Sequence, residues 1–243
     1  MSATLFISDL HLADERPEIN SLFFRFMEDT ARGAEALYIL GDLFEYWVGD
    51  DQLDHDLLAR SVTDTIRRLS DAGTRVYFMH GNRDFLIGER FAREAGLTIL
   101  PDPTLIKLYG QQVLLMHGDT LCTDDVAYQK FRAQTRTNEW KNATLAQPYE
   151  ARQQLAQSIR AQSDSEKNQK PEEIMDVTDV AVEEAFRVHQ YPLMIHGHTH
   201  RPATHQLLLD GHACERWVLA DWHGRGEYLA VSNSGLQRIE LKT

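Results

Sequence analysis

Five short polar motifs along this 243-residue chain carry side chains that can bind divalent metal ions. Asp9 and His11 stand two positions apart, so in an extended backbone they share a side and can bind one ion. Asp42 has two carboxylate oxygens and can bridge two ions. The five motifs, in chain order, are Asp9-Leu-His11, Gly41-Asp42, Gly81-Asn82-Arg83-Asp84, His117-Gly-Asp119 and Gly197-His198-Thr-His200.

The candidate ligands supply oxygen and nitrogen donors and no thiolate. Such a set suits Mn²⁺, Fe²⁺ or Zn²⁺ better than it suits a closed structural zinc site. Two ions about 3.5–4 Å apart can activate a bridging hydroxide and neutralise phosphoryl oxygens during an in-line displacement. The seven candidates are Asp9, His11, Asp42, Asn82, His117, His198 and His200.

Four further polar residues lie beside these motifs without being counted as ligands. His80 and His196 are interpreted as structural histidines at strand ends. Asp84 and Asp119 are expected to hold the ligands in orientation, as carboxylates outside the coordination shell of metal sites commonly do.

Each motif follows an apolar run with the composition of a β-strand. Because ligand sites in open sheets form at the carboxyl ends of strands, five such ends can converge on one cleft. The alternative, five unrelated strand-end turns, is less consistent with all five motifs occurring together. The runs are Leu5-Phe6-Ile7, Leu37-Tyr38-Ile39-Leu40, Val76-Tyr77-Phe78-Met79, Val113-Leu114-Leu115-Met116 and Leu193-Met194-Ile195.

The elements that must position these motifs alternate between strand and helix patterns over the first 130 residues, which is typical of βαβ units. Helical periodicity predicts helices at about Glu18 to Arg32, Asp54 to Asp71 and Gly88 to Ala95. After residue 200 the chain is again rich in strand patterns, and Asp210-Gly211 predicts a hairpin turn.

Composition limits the class of function. The net charge of −12 argues against a broad nucleic-acid surface, which would need a basic face. The two cysteines, Cys122 and Cys214, form no metal-type pair and favour a reducing compartment. No secretion signal and no apolar run of membrane-spanning length is visible, so the sequence predicts a cytoplasmic protein that is soluble or peripheral to a membrane.

The segment from residue 128 to 170 differs from the rest of the chain. It contains eight Lys or Arg and four Asp or Glu in helical stretches joined by polar links. One interpretation is a solvated helical face. The other is a helical insertion over the metal cleft that meets an anionic ligand, and the sequence leaves both open.

The motifs resemble those of the calcineurin-like metallophosphoesterases over nearly the whole chain. The resemblance is closest to members that act on UDP-2,3-diacylglucosamine, a nucleotide-linked lipid of lipid A synthesis. It implies an α/β fold, a four-layer α-β-β-α sandwich forming one domain over residues 1–243, with a helical lid insertion at about 128–170. The segments that carry it are Phe6-Ile-Ser-Asp-Leu-His-Leu12, Tyr38-Ile-Leu-Gly-Asp-Leu-Phe-Glu45, His80-Gly-Asn-Arg-Asp-Phe-Leu86, Met116-His-Gly-Asp-Thr-Leu-Cys-Thr-Asp-Asp125, Ile174-Met-Asp-Val177 and Ile195-His-Gly-His-Thr-His-Arg-Pro202.

The resemblance also implies two Mn²⁺ ions, with Fe or Zn as alternatives. It assigns one ion to Asp9, His11, Asp42 and His200, and the other to Asp42, Asn82, His117 and His198. It implies a hydrophobic acyl-chain groove under the lid and peripheral contact with the cytoplasmic face of the inner membrane. The implied substrate contacts are Asn82, Arg83, Asp125, Ser163, Lys167, Lys170 and His198.

Arg83 adds an argument from chemistry. Much of the wider family has a histidine at this position, which can protonate an alkoxide leaving group. A guanidinium stays protonated and cannot act as a general acid, but its fork of donors can bind phosphate oxygens. This suits a phosphate leaving group, so the sequence favours a diphosphate substrate, with Arg83, Asp42 and His117 as the catalytic residues.

The predicted reaction is hydrolysis of the diphosphate of UDP-2,3-diacylglucosamine by a metal-activated hydroxide, giving UMP and 2,3-diacylglucosamine 1-phosphate (lipid X). The alternative enzyme is another diphosphate or cyclic-nucleotide hydrolase on the same fold. A catalytically inactive scaffold is the non-enzymatic alternative, although such proteins typically lose metal ligands and this chain has all seven.

Overall fold

The computed structural model describes residues 3–167 and 172–241, in which strands and helices alternate before a strand-rich end. The strands are β1 Thr4–Ile7, β2 Ala36–Leu40, β3 Arg75–Met79, β4 Thr98–Leu100, β5 Thr104–Leu108, β6 Gln111–Met116, β7 Leu193–His196, β8 Ala203–Leu209, β9 His212–Val218, β10 Gly226–Ser232 and β11 Gly235–Leu241. The helices are α1 Pro17–Arg25, α2 Leu57–Asp71, α3 Glu89–Ala95, α4 Val126–Thr135, α5 Asn138–Leu145, α6 Tyr149–Lys167 and α7 Asp179–Val188.

Within the described ranges the strands form two sheets. The first has the order β11-β10-β1-β2-β3-β4, and the second has the order β5-β6-β7-β9-β8. Strands β1, β2 and β3 run parallel to one another, as do β6 and β7. The carboxyl ends of each parallel group therefore lie at one edge of their sheet.

The motif-bearing strands are mostly apolar toward their carboxyl ends, because both faces of each sheet are covered there. Along β1, Leu5 and Ile7 pack under the helices α1 to α3, while Phe6 faces the opposite way. Phe6 shares a core with Leu115 and Ile195 of the second sheet. The two sheets thus pack face to face around a common apolar layer.

The far face of the second sheet is covered by helix α7. Its Val182 and Phe186 are buried against Leu114 and Met194 of that sheet. The order of layers is helices, first sheet, second sheet, helix, so the expected four-layer α-β-β-α sandwich is confirmed.

The predicted helices are present with different ends. The first contains α1 and then a π-helical turn at Phe26–Thr30. The second begins at Leu57, because Asp56 accepts a hydrogen bond from Ala59 N and caps the helix there. The third is α3.

The predicted hairpin at Asp210-Gly211 is confirmed between β8 and β9. Leu209 and His212 pair directly across the turn. Both turn residues have positive φ, 52° and 84°, as a two-residue hairpin of this kind requires.

Helices α4, α5 and α6 occupy the segment whose composition differs from the rest. They lie between β6 and β7 in sequence, and residues 168–171 are outside the described residues. In the part of the chain that the structure describes, no helix is both long enough and apolar enough to cross a bilayer.

Candidate metal centre

All seven candidate ligands lie near one edge of the sandwich. Three of the motifs follow β1, β2 and β3 of the first sheet, and the other two follow β6 and β7 of the second. Backbone hydrogen bonds tie the loops together. Asp9 N donates to Gly41 O over 3.1 Å, and Gly197 N donates to His117 O over 2.8 Å. The predicted convergence of five strand ends is therefore built from two facing sheets.

Five of the candidate ligands have left-handed backbone torsions. Their φ values lie between 52° and 72°, a region that costs a non-glycine residue about 1–3 kcal/mol. The expectation that Asp9 and His11 share a side through extended backbone is therefore wrong, because both residues have φ near 55°. The five residues are Asp9, His11, Asp42, His198 and His200.

One group of donors is formed by Asp9, His11 and His200. Their ligand atoms all lie within 4.8 Å of one another. His11 Nε2 and His200 Nε2 are 3.4 Å apart, and His200 Nε2 is 3.5 Å from Asp9 Oδ1. Asp9 is completely buried, and its other oxygen accepts hydrogen bonds from Ser8 and from His198 N.

A second group lies beside the first. Asp9, Asp42 and His117 have ligand atoms within 4.8 Å of one another. Asp42 Oδ2 is 3.8 Å from His11 Nε2 and 3.9 Å from His117 Nε2, so this oxygen lies between the two groups. Asn82 Oδ1 is 3.1 Å from His117 Nε2 and 2.9 Å from His198 Nδ1.

The contact between His117 and Asn82 indicates whether these residues can bind a cation. His117 Nδ1 is 2.8 Å from the carbonyl oxygen of Leu40, which can only accept, so this nitrogen carries the proton. A histidine must be neutral to bind a metal, and in the neutral ring Nε2 presents a lone pair to Asn82 Oδ1, which is also an acceptor. A cation between two such acceptors satisfies both, so the donor set fits a divalent metal.

The charges of the site also favour a cation. Burial raises the pKa of Asp42, and His117 compensates only in part. Burial likewise disfavours the charged form of Asp9, but contact with His200 and the charge of His117 hold its pKa below the usual range. Burial lowers the pKa of His117, yet Asp42 and Asp9 overcome this effect and raise the pKa to about 9.

Asp84 and Asp119 each hold loops of the site. Asp84 is fully buried and accepts hydrogen bonds from Gly81 N and Leu43 N, at 2.9 and 2.8 Å, which joins the loops after β2 and β3. Burial and the charge of Asp42 raise the Asp84 pKa to about 7. Asp119 follows His117 by two residues and is also buried.

A cavity of about 460 Å³ opens beside the two donor groups. Five of the seven predicted substrate contacts line it: Asn82, Arg83, Asp125, Ser163 and His198. Lys167 is the last residue of α6, but its side chain is outside the described parts of the chain, as is Lys170. The remaining five lie together although they are up to 116 residues apart in sequence.

Helix α4 contributes residues that the motifs did not identify. Tyr128 donates a hydrogen bond to Asp119 and its ring stacks on His198. Arg132 Nε donates to Asp119 over 2.7 Å, and Arg136 Nη2 donates to Gly81 O over 2.7 Å. The base of the predicted lid is therefore bound to the loops that carry the candidate ligands.

Contacts of this kind involve all the arginines of the segment from residue 128 to 170, which make up half of its basic residues. The segment's four arginines face polar groups of the sandwich: Arg132 and Arg136 face Asp119 or Gly81, Arg152 faces Asp51, and Arg160 faces Glu45. Neither sequence interpretation foresaw this pairing. The only sign of it in the sequence was the local excess of lysine and arginine over acidic residues in an acidic chain.

The chain is similar to known proteins over most of its length. The profile of the calcineurin-like phosphoesterase family matches residues 3–202. A relative from Aromatoleum aromaticum is 53% identical over 235 residues, 97% of this chain and 95% of the relative. A relative from Chromohalobacter salexigens is 53% identical over 97% of this chain and 96% of its own length. One from Enterobacter sp. is 49% identical over 98% and 99%. All three relatives are named UDP-2,3-diacylglucosamine hydrolase.

Proposed function

This chain belongs to the calcineurin-like phosphoesterase family, and we propose that it hydrolyses the diphosphate bond of UDP-2,3-diacylglucosamine. The products are UMP and 2,3-diacylglucosamine 1-phosphate, and the step belongs to lipid A biosynthesis. The proposal draws on relatives of that name at 49–53% identity over nearly the full length.

The observation that carries the proposal is the cavity in which metal donors and an arginine meet. Asp42, Asn82 and His198 line one side, and Arg83 lies beside them with its side chain only 14% exposed. Asp125 and Ser163 come from the helical segment on another side. A diphosphate needs such a site, because its charge is neutralised by cations while polar groups hold the rest of the molecule.

We infer that the site holds two Mn²⁺ ions, with Fe²⁺ or Zn²⁺ as alternatives. One would be held by Asp9, His11, Asp42 and His200, and the other by Asp42, Asn82, His117 and His198. The position of Asp42 Oδ2 between two histidines supports its role as the shared ligand. When bound, such ions supply activation of the attacking water and neutralisation of phosphoryl charge.

Arg83 then acts on the substrate rather than on the metal. Its guanidinium can donate two hydrogen bonds to phosphate oxygens, and it holds the leaving phosphate without giving up a proton. Asp42 and His117, which are held in fixed positions, would place the metal ions and therefore the water that attacks the phosphorus. Attack at either phosphorus breaks the same anhydride and gives the same two products.

The apolar part of the substrate is assigned to a second cavity that adjoins the first at Asn82, Arg83, Phe131 and Ile159. Its walls come from the loops after β2 and β3 and from helices α4 to α6. We propose that this groove takes acyl chains, that residues 128–170 form a lid over it, and that the protein works peripherally at the cytoplasmic face of the inner membrane. The large apolar side chains that line the groove are Trp47, Phe85, Leu86, Phe131, Trp140, Leu155 and Ile159.

Product analysis on UDP-2,3-diacylglucosamine tests the proposal. Purified protein, stripped of metal and then supplied with Mn²⁺, is expected to release UMP and the lipid phosphate in equal amounts. A soluble UDP-sugar without acyl chains serves as the matched substrate and is expected to react poorly. Equal rates on both substrates would favour another diphosphate hydrolase, and no hydrolysis of either would favour an inactive scaffold.

A further inference from the structure

Glu45 is a buried carboxylate that none of the predicted roles includes. It follows the Gly41-Asp42 turn, and its backbone N–H donates to Leu12 O over 3.1 Å, which fixes the main chain beside the Asp9 loop. Its side chain is 8% exposed. A carboxylate this deeply buried needs cationic or hydrogen-bonding neighbours.

One oxygen of Glu45 faces a candidate metal ligand. Glu45 Oε2 is 3.5 Å from His11 Nδ1, a buried nitrogen that has no hydrogen-bond partner in the described residues. The other ring nitrogen of His11 faces Asp42 and His200. Histidines that bind metal through one nitrogen typically donate the other N–H to a carboxylate, which fixes the ring.

The other oxygen of Glu45 faces two arginines from different parts of the chain. Glu45 Oε1 is 3.5 Å from Arg83 Nη1 and 3.2 Å from Arg160 Nη1. Arg83 follows β3 and lines both cavities, whereas Arg160 lies on α6 and lines the second. Glu45 thus contacts one arginine that lies beside the candidate metal ligands and one that lies on helix α6.

We propose that Glu45 is a positioning residue that couples the docking of helix α6 to the metal centre. Its two oxygens hold His11 on the metal side and both Arg83 and Arg160 on the substrate side. With α6 docked, the guanidiniums of Arg83 and Arg160 lie beside the same carboxylate oxygen, near the residues that the two cavities share. This deepens the proposed function and rests on it for the identity of the substrate.

The test uses Glu45→Gln, which keeps the shape of the side chain and removes its charge. The Mn²⁺ affinity of the purified protein is expected to fall about 10- to 100-fold, as when the carboxylate partner of a metal-binding histidine is lost. Amide hydrogen exchange over residues 155–163 of α6 is expected to speed up about two- to fivefold, since an ion pair is lost. Folding is checked by circular dichroism.

Glu94→Gln is the matched control. Glu94 also pairs with two arginines, Arg60 at 2.6 Å and Arg90 at 2.8 Å, but it lies on the α2–α3 face. It is expected to change neither Mn²⁺ affinity nor exchange in α6. Neither measurement needs a substrate, so a wild-type protein that fails to hydrolyse the lipid would count against the proposed function alone.

The two measurements on Glu45→Gln decide whether Glu45 couples α6 to the metal centre. Unchanged Mn²⁺ affinity or unchanged α6 exchange in a folded Glu45→Gln protein overturns the coupling. If that variant does not fold, Arg160→Gln tests the same link from the helix, because the Arg160 side chain is 44% exposed. Its α6 exchange should also rise about two- to fivefold, and an unchanged rate would overturn the proposal.

Discussion

At the scale of single residues, the site is marked by backbone strain as well as by ligand chemistry. Asp9, His11, Asp42, His198 and His200 all have positive φ, and each is a candidate ligand. Strain of this kind persists only where the surrounding structure compensates for it, and it tends to occur at functional sites. Here the hydrogen bonds that Asp9 and Asp42 accept from Ser8 and from Arg83 N supply part of that compensation.

Asp42 gives the first prediction at this scale. Asp42→Asn keeps a residue that tolerates left-handed torsions but removes the negative charge shared between the two donor groups. We expect turnover to be abolished and bound Mn²⁺ to fall, with the fold retained. Metal content by atomic emission and turnover on UDP-2,3-diacylglucosamine are the measurements. Asp64→Ala, on the exposed face of α2, is the control. Normal turnover in folded Asp42→Asn would remove the shared-ligand assignment.

Arg83 gives the second prediction at the scale of single residues. Removing one preorganised donor from a site where charge develops costs about 10²–10³ in turnover, so Arg83→Ala should show a loss of that size. Arg83→Lys should recover part of it, because an ammonium lacks the two-pronged fork. Arg83→His should not restore turnover, since a phosphate leaving group does not need protonation by an acid. Bound metal should be unchanged in all three, and full rescue by histidine would refute the leaving-group argument.

At the scale of elements, the turns after the strands must be narrow enough for the loops to meet. Gly41 has φ +92°, and a Cβ there would lie 2.5 Å from His117 Nδ1 and 2.6 Å from Gly81 Cα. Only glycine therefore allows the loop after β2 to approach the loops after β3 and β6. The close approach of backbones, more than any one side chain, brings the ligands together.

Gly41→Ala tests that close approach. We expect the free energy of unfolding to fall by about 1–3 kcal/mol from backbone strain and by about 1–3 kcal/mol from the steric contact. We also expect weaker Mn²⁺ binding, because the added Cβ displaces His117. Gly33→Ala is the control, since it shares a positive φ of +89° but has no atom within 4 Å of the added Cβ. Urea unfolding and metal titration compare the two. Equal destabilisation with intact metal binding in both would show that the contact has no effect.

Helix α6 is the second element whose position can be tested. Arg152 is 4% exposed, pairs with Asp51, and donates hydrogen bonds to Val48 O and to Gln147 O. Arg152→Ala leaves these carbonyls without that donor, at a cost of about 1–3 kcal/mol each. We expect faster proteolysis in α6 and a higher KM for the lipid substrate, with unchanged metal content.

The control for Arg152 is an exposed pair far from the cavities. Arg225 and Glu240 are 2.8 Å apart and more than half exposed, so Arg225→Ala should change stability by about 1 kcal/mol or less. A normal KM in Arg152→Ala would mean that the placement of α6 does not affect the substrate site, and it would argue against the lid.

At the scale of the whole molecule, the candidate metal centre lies where the two sheets meet, so metal bound there should stabilise the entire fold. An ion that binds only the folded state at 100 times its Kd adds about 2.7 kcal/mol. For a chain of this length that raises the Tm by about 5–10 °C. Calorimetry with Mn²⁺ and with EDTA should show this difference in the wild-type protein and a smaller one in Asp42→Asn. An identical Tm in both conditions would contradict binding at the junction of the sheets.

The chain by itself determined the candidate ligands and the strands that precede them. Those features are local, because an apolar run followed by Asp, Asn or His can be recognised in a few consecutive residues. In the structure the five runs form strands, and Asp210-Gly211 forms the turn of a hairpin. The four-layer arrangement followed from the family resemblance. Strands β4 and β5, of three and five residues, were not foreseen because their patterns are too brief to separate from loop. The seven-residue strand β11 was also missed, and it carries the polar residues Gln237, Arg238 and Glu240.

Only the tertiary structure decided which residues distant in sequence form ion pairs and hydrogen bonds with one another. Glu45 and Arg160 are 115 positions apart, and Asp119 is bound by a helix that sequence treated as a lid. The left-handed torsions of Asp9 and His11 replaced the extended backbone expected from their spacing. Such features depend on how two sheets and an inserted helix pack, since burial makes an unpaired charge costly and so selects partners across the fold. Spacing along the chain carries no information about that packing.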